Sequence, residues 1–529
     1  SDVCSSDLLE GRLQMLKRFH RKEYICLIAV LFVFLLMSLY KLTEAPLWYD
    51  EIVEFYYSKY LTGPIQGVSV YNSLYERLQF NSFQPPLYNL IMYVWLLFGE
   101  SEWWFRFSGV VFGFIGMLGL YACMKMITNW KTAVLAVFVS SFIYELMYYE
   151  KEAAEYNFML MLLYWLLYFY FRTFRDLTLK NVGLFTGISV LLLYTQYGAV
   201  LAILPLAVCL FIKAFRQKNK QLYGKIALIY VVTGAVAGLP LFFFLFRIQL
   251  QWNQSVNYYT VAFEKNNVIY DFFMMLLTTA QWLFTESKTR FTVIFAVALL
   301  LCVIFAVLCM IKRKKQEFTY FLFSCAAGWI IYYIIVRSGL YAYGDFGNRY
   351  SLYLLPVWFV AVFYVVYEAL QLIASWEIPY KKAALIAARC LLLLTAAGYC
   401  VYGFYRIDLH WAKSNTRSVV DLWYEEKGYD MPTYVIFGEA PSFTYYLTHD
   451  DRFKQEYMDN ITFEYENKET KLNAEEYWDY FADKYQGQPP KEFYLSIGHD
   501  NSLTESLEQN GYTLETEYVT NTILYHVYQ

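Results

Sequence analysis

Residues 24–42 read YICLIAVLFVFLLMSLYKL, and shortly after them comes Pro46-Leu47-Trp48-Tyr49-Asp50-Glu51. An apolar run of about 18 or more residues is long enough to cross a bilayer as a helix. Lys17, Arg18, Arg21 and Lys22 precede it. Basic residues stay on the cytoplasmic side, so the run is expected to point outward and deliver Asp50 and Glu51 to the outer face. Charge beside hydrocarbon is costly unless water, a partner or a substrate receives it. The plainest local role for the two carboxylates is to cap a surface helix beginning near Ile52, where the helix dipole favours them.

Of the 529 residues, 58% are hydrophobic and 21% aromatic, which excludes an ordinary soluble chain. The composition predicts a polytopic α-helical membrane protein in a lipid bilayer, with Tyr and Trp in the interfacial belts. Eight of the nine cysteines lie in or beside apolar runs, and none follows Cys400, so neither a disulfide framework nor a CxxC metal pair is expected. The net charge of −3 hides an asymmetry: from Gly403 onward there are 23 acidic and 10 basic residues, −13 in all, leaving +10 for the rest. Two regions with different surroundings follow from that split. Residues 1–8 read as the translated end of a common sequencing adapter and are set aside, so that 1–23 form a cytoplasmic N-terminus.

Basic clusters between apolar runs predict about eleven spans: 24–42, 103–124, 132–149, 156–171, 182–195, 198–212, 225–246, 291–311, 319–336, 351–373 and 383–402. Residues 24–402 are thus the membrane domain, and Lys312-Arg313-Lys314-Lys315 is its strongest inside signal. In the first outer loop, 85–98 is apolar for only about 14 residues and opens with Pro85-Pro86, which predicts an interfacial or re-entrant helix. The stretch 268–284 is amphipathic and is expected along the interface. Glu150-Lys151-Glu152 closes the span 132–149 on the same outer face as Asp50.

The tail, 403–529, is polar and cysteine-free. Segments 433–437 and 492–497 read as strands, and 474–485 and 502–509 as helices, giving a small extracytoplasmic α/β domain. It shows no nucleotide-type Gly-rich loop and no metal-ligand spacing. His410, His449, His499 and His526 are scattered and read as ordinary histidines rather than ligands.

Three motifs share the expected outer face: Asp50-Glu51, Gln84-Pro85-Pro86-Leu87-Tyr88 and Glu150-Lys151-Glu152-Ala153-Ala154-Glu155-Tyr156. Together they resemble the membrane glycosyltransferases of the GT-C superfamily, in the branch of protein O-mannosyltransferases, lipid A aminoarabinose transferases and RgtA/B/C/D-like transferases. The resemblance covers most of 24–370. Asp50-Glu51 matches the family pair in full. Gln84 stands where His or Lys is common, Ala154 where Arg is, and Gln196 where His often precedes Tyr197. Gly99-Glu100-Ser101-Glu102 with Arg106, and Asn348-Arg349-Tyr350 with Leu354-Leu355-Pro356, are further matches.

The resemblance implies an inverting glycosyltransferase that takes a sugar from a polyprenyl phosphate carrier and passes it to a glycan, lipid or protein acceptor at the outer face of a bacterial plasma membrane. An acceptor hydroxyl needs a carboxylate to remove its proton, and Asp50 is the choice for that base. Glu51 orients a loop or holds a substrate group, and Glu152 positions the acceptor or binds a divalent cation. The leaving lipid phosphate needs positive charge, for which Arg349 is the first candidate and Lys151 the second. Gln84 would bind sugar or phosphate, and Tyr49, Tyr88 and Tyr197 would line the substrate groove. Arg106 reads as a structural partner for Glu100 or Glu102. No cofactor is required, and no nucleic acid is expected. The competing reading is a lipid-linked glycan flippase or transporter, which should carry ionisable groups at the bilayer midplane and inverted repeats.

Overall fold

The computed structural model describes the backbone of residues 3–80, 84–255, 267–285, 291–341, 348–377, 379–407, 413–466, 472–498, 502–519 and 522–529. Side chains are described within these ranges from residue 21 on, apart from 252–255, 348 and 518–519. The chain forms two compact units, one from 1–40, 83–88 and 107–409, the other from 41–82, 89–106 and 410–529. Most of the segment between the first apolar helix and the helix Glu102–Ile127 is thus grouped with the tail, an association that a linear reading of the spans does not contain.

The first unit is helical. Among the described residues, nine helices are long and apolar enough to cross a membrane, or ten if the bent pair Trp130–Ser140 and Tyr144–Lys151 is one span. The chain is a multi-pass helical membrane protein. Three segments differ from the eleven spans expected. The expected span 182–195 is the 15-residue helix Leu179–Leu193, only about 22 Å long at 1.5 Å per residue. The helix Glu155–Arg175, holding the expected span 156–171, is buried along most of its length. Val268–Thr285, expected at the interface, is long and apolar enough to cross. Its one acidic residue, Asp271, gains a partner in Arg337 at 2.5 Å, which offsets the cost that made the segment look amphipathic. Leu87–Leu96 is a short apolar helix, as its Pro-Pro start and limited length suggested.

Small residues set the closest helix contacts, as expected where lipid offers no hydrophobic drive to pack. On the helix Glu102–Ile127, a Cβ at Gly109 would press on the Glu150 carbonyl and lie 2.6 Å from Asn157 Nδ2. One at Gly113 would lie 2.9 Å from both Phe34 and Glu150 Oε1. The room these glycines leave admits the Glu150 carboxyl, which accepts a hydrogen bond from Ser38 Oγ at 2.8 Å.

In the second unit, a five-stranded sheet has the order β2-β1-β3-β5-β4, with β1 Thr433–Val435, β2 Ile461–Phe463, β3 Glu492–Ile497, β4 Thr513–Val519 and β5 Ile523–Tyr528. The first three are parallel, while β4 and β5 form an antiparallel hairpin against β3. Side chains alternate across a strand, so each face of the sheet gathers its own core. Val435, Trp423 and Phe443 pack on one side, and Tyr434, Phe481, Leu495 and Leu507 on the other. The helices Ala474–Lys484 and Ser502–Gln509 and strand β3 fall where the sequence placed them. The helix Tyr49–Lys59 packs against the helix Ala440–Thr448 through Phe55 and Tyr445, whose ring centroids are 5.1 Å apart.

Replacing Gly109 by Leu must force two backbones apart, and overpacking of this kind costs about 1–3 kcal/mol or more. The Gly109→Leu protein is expected to unfold at a clearly lower temperature in detergent, whereas Gly224→Leu, at a position with open space around it, should not.

Candidate functional site

Asp50 and Glu51 lie in the first turn of the helix Tyr49–Lys59, where exposed N–H groups favour carboxylates. Their side chains are used differently. Glu51 is almost fully buried and its oxygens accept two parallel bonds from Arg106, Nε to Oε1 at 2.9 Å and Nη2 to Oε2 at 2.7 Å. The backbone N–H of Trp48 also donates to Glu51 Oε2, at 3.4 Å. Arg106 spends its remaining donors on the loop after the first apolar helix: Nη1 reaches the carbonyls of Leu42 at 3.1 Å and Ala45 at 2.6 Å, and Nη2 that of Pro46 at 3.2 Å. Glu102 Oε1 accepts from Arg106 Nη1 at 3.1 Å, and its other oxygen is held by Arg417. Of the two partners expected for Arg106, Glu102 is present, while Glu100 pairs instead with Lys59. The main partner, Glu51, lies 55 positions away in sequence.

This geometry gives Glu51 the loop-orienting role, since both of its oxygens are committed to Arg106. Asp50, the next residue, is only partly buried. Around it, Tyr49 packs on Phe437 with ring centroids 5.3 Å apart, and Lys413 Nζ stands 3.6 Å above the Trp48 ring.

The other expected residues belong to the helical unit. There the rings of Tyr149 and Tyr156 lie with centroids 4.7 Å apart, within the electrostatic reach of Glu152, Glu155 and Arg349. Glu145 acts on Tyr149 as well. Glu145, Glu152 and Glu155 are all buried. Glu145 and Tyr149 were not singled out from sequence; they lie one turn apart on the helix Tyr144–Lys151, which breaks at the extended Glu152 before the helix Glu155–Arg175 begins.

Lys151 is buried and Nζ donates to the Tyr40 carbonyl at 2.6 Å, just past the end of the first helix. There it meets carbonyls that a helix end leaves unpaired. Gln84 is buried and its carbonyl accepts from Gln249 Nε2 at 3.3 Å. Tyr88 is buried, and Tyr197 packs on Phe246 with ring centroids 4.9 Å apart. Gln196 caps the short turn that follows it, its Oε1 accepting from the Gly198 N–H at 3.1 Å.

A many-span helical unit with a carboxylate pair after its first apolar helix, together with a small α/β unit, defines the class as membrane proteins of the GT-C fold. Solved structures agree. The oligosaccharyltransferase of Archaeoglobus fulgidus, in complex with Zn and sulfate, matches 89% of this chain and 67% of its own at 13% identity, with a TM-score of 0.54. ArnT from Cupriavidus metallidurans, bound to undecaprenyl phosphate, matches 95% of this chain and 97% of its own at 12% identity, again with a TM-score of 0.54. At such identities the likeness is one of fold alone, and that fold is the GT-C one. Within it, residues 84–242 match the family described as dolichyl-phosphate-mannose-protein mannosyltransferase. No curated protein matches the sequence.

Removing one partner of a buried ion pair leaves the other charge uncompensated, at about 3–5 kcal/mol. Arg106→Met is therefore expected to lower the unfolding temperature sharply. The double variant Arg106→Met/Glu51→Leu should recover much of that loss, and additive losses in a double-mutant cycle would show that the pair is not coupled.

Proposed function

We propose that the protein is an inverting glycosyltransferase that moves a sugar from a polyprenyl phosphate to an acceptor hydroxyl at the outer face of the plasma membrane. The observation that carries this reading is the division of labour in the Asp50-Glu51 pair: Glu51 is locked to Arg106, and Asp50 beside it is held on a fixed helical turn. The fold and the family matched by 84–242 support the donor class. The basic residues between spans support the sidedness.

In the proposed reaction the Asp50 carboxylate accepts the proton of the acceptor hydroxyl as its oxygen attacks the anomeric carbon. The bond from that carbon to the phosphate oxygen breaks, and the electron pair leaves with the lipid phosphate. An anionic leaving group needs no proton, only donors and positive charge. Arg349 supplies these, because a guanidinium matches phosphate with two parallel bonds. Glu152 and the Tyr149–Tyr156 pair orient the substrate, with Gln84, Tyr88 and Tyr197 as lining groups and Lys151 in a supporting role that its bond to Tyr40 limits.

The Archaeoglobus protein was crystallised with Zn. In this chain, no three carboxylate or histidine ligand atoms come together around Asp50 or Glu152 among the described residues.

The test supplies membranes containing the protein with a panel of polyprenyl phosphate sugars and follows which is consumed. Asp50→Asn is expected to lower transfer by about 100-fold or more, the scale of general-base catalysis, with unchanged protein in the membrane. Transfer retained in that variant would reject Asp50 as the base. Arg349→Ala should weaken donor use and Arg349→Lys restore part of it; an unchanged donor response in Arg349→Ala would remove that residue from the site.

A further inference from the structure

The sheet of the second unit carries a group of ligand-type side chains that sugar transfer does not use. Glu515 on β4 stands directly across from His526 on β5. One strand position further, the β4–β5 register shifts between Thr516 and Tyr518, so Glu517 is the extra residue of a bulge. Bulges re-aim side chains, and here one ligand atom from each of Glu515, Glu517 and His526 lies within 4.8 Å of the other two. The imidazole is held from its other side by β3. Glu492 Oε1 is 3.0 Å from His526 Nε2, and the Tyr494 ring stacks on the imidazole with centroids 5.3 Å apart.

Three carboxylates thus surround one imidazole. Glu515 and Glu517, two positions apart on one strand, bring like charges close together, and among the described residues neither forms an ion pair with a Lys or Arg. A cation would turn that repulsion into a clamp across the hairpin. The sequence alone gave no hint of this, because His526 and the two glutamates have no metal-motif spacing; strand pairing is what assembles them.

We propose that Glu515, Glu517 and His526 form a surface site for a divalent transition-metal ion of the zinc type. A nitrogen ligand joined by carboxylate oxygens suits Zn²⁺ and its neighbours, whereas Ca²⁺ and Mg²⁺ take oxygen ligands alone. Three protein ligands leave a fourth position for water. Glu492 supplies the outer contact that metal-bound histidines commonly have: it accepts the proton of the ring nitrogen not bound to metal, or joins as a further oxygen ligand. The site lies on the sheet and does not depend on the proposed transfer reaction.

The experiment uses the full-length protein in detergent, stripped with a chelator and titrated with Zn²⁺ alone by calorimetry. The wild-type protein should bind one equivalent more than His526→Ala or Glu515→Gln/Glu517→Gln, or bind that equivalent at least about tenfold more tightly. Zn²⁺ held anywhere else appears equally in all three proteins and cancels. The altered side chains are partly or fully exposed, and equal unfolding temperatures in chelator would verify folding. Zn²⁺ should raise the unfolding temperature of the wild type more than that of either variant. Identical stoichiometry and affinity in the three proteins would overturn the proposal.

Discussion

A buried guanidinium and a buried carboxylate, Arg106 and Glu51, fix the segment on which the rest depends. Moving two charges out of water costs several kcal/mol each, repaid only when geometry is good and the remaining donors are satisfied. Both conditions hold, because two parallel bonds join the pair and Arg106 also reaches the carbonyls of Leu42, Ala45 and Pro46. Such a pair adds little net stability over an apolar substitute, so its value lies in the single conformation it imposes on the turn before Asp50. Two adjacent carboxylates are thereby left in different settings, Glu51 as a fixture and Asp50, only partly buried, as the base proposed above.

The helical unit follows the same logic under a harsher constraint. An ionisable group buried among apolar helices persists only with a partner. Glu150 has Ser38, Lys151 has the Tyr40 carbonyl and Asp271 has Arg337. These account for structure: a closely packed helix contact, a helix end and a charge made tolerable in an apolar segment. Glu145, Glu152 and Glu155 with Arg349 around Tyr149 and Tyr156 form a larger polar group than such needs require, and the proposed substrate roles fall on Glu152, Arg349 and the two tyrosines within it.

The membrane class, the short apolar helix Leu87–Leu96, strand β3 and the helices Ala474–Lys484 and Ser502–Gln509 were legible in the sequence, because each is written in local hydropathy or periodicity, whereas Thr416–Glu425 and Ala440–Thr448 were not. What depended on distant pairing was not. Asp271 made Val268–Thr285 look interfacial because Arg337 is 66 positions away. Local sequence offers Arg106 only Glu100 or Glu102 as partners, whereas its main partner, Glu51, lies 55 positions away. The β4–β5 hairpin escaped notice because Glu515 and Glu517 blur the strand pattern, and the grouping of most of residues 41–106 with the tail has no local signature at all. Of the candidate site, the sequence offered motifs and their order, while the ion pair of Glu51 with Arg106, the bond of Lys151 to the Tyr40 carbonyl and the nearness of Glu145 to Tyr149 come from distant or three-dimensional pairing.

The most direct test of the account follows a polyprenyl phosphate sugar labelled at the anomeric carbon through one turnover by NMR. The wild-type protein is predicted to release one polyprenyl phosphate for each sugar moved and to give the inverted anomer, as a single displacement by a deprotonated hydroxyl requires. A product that keeps the donor's anomeric configuration would contradict the account.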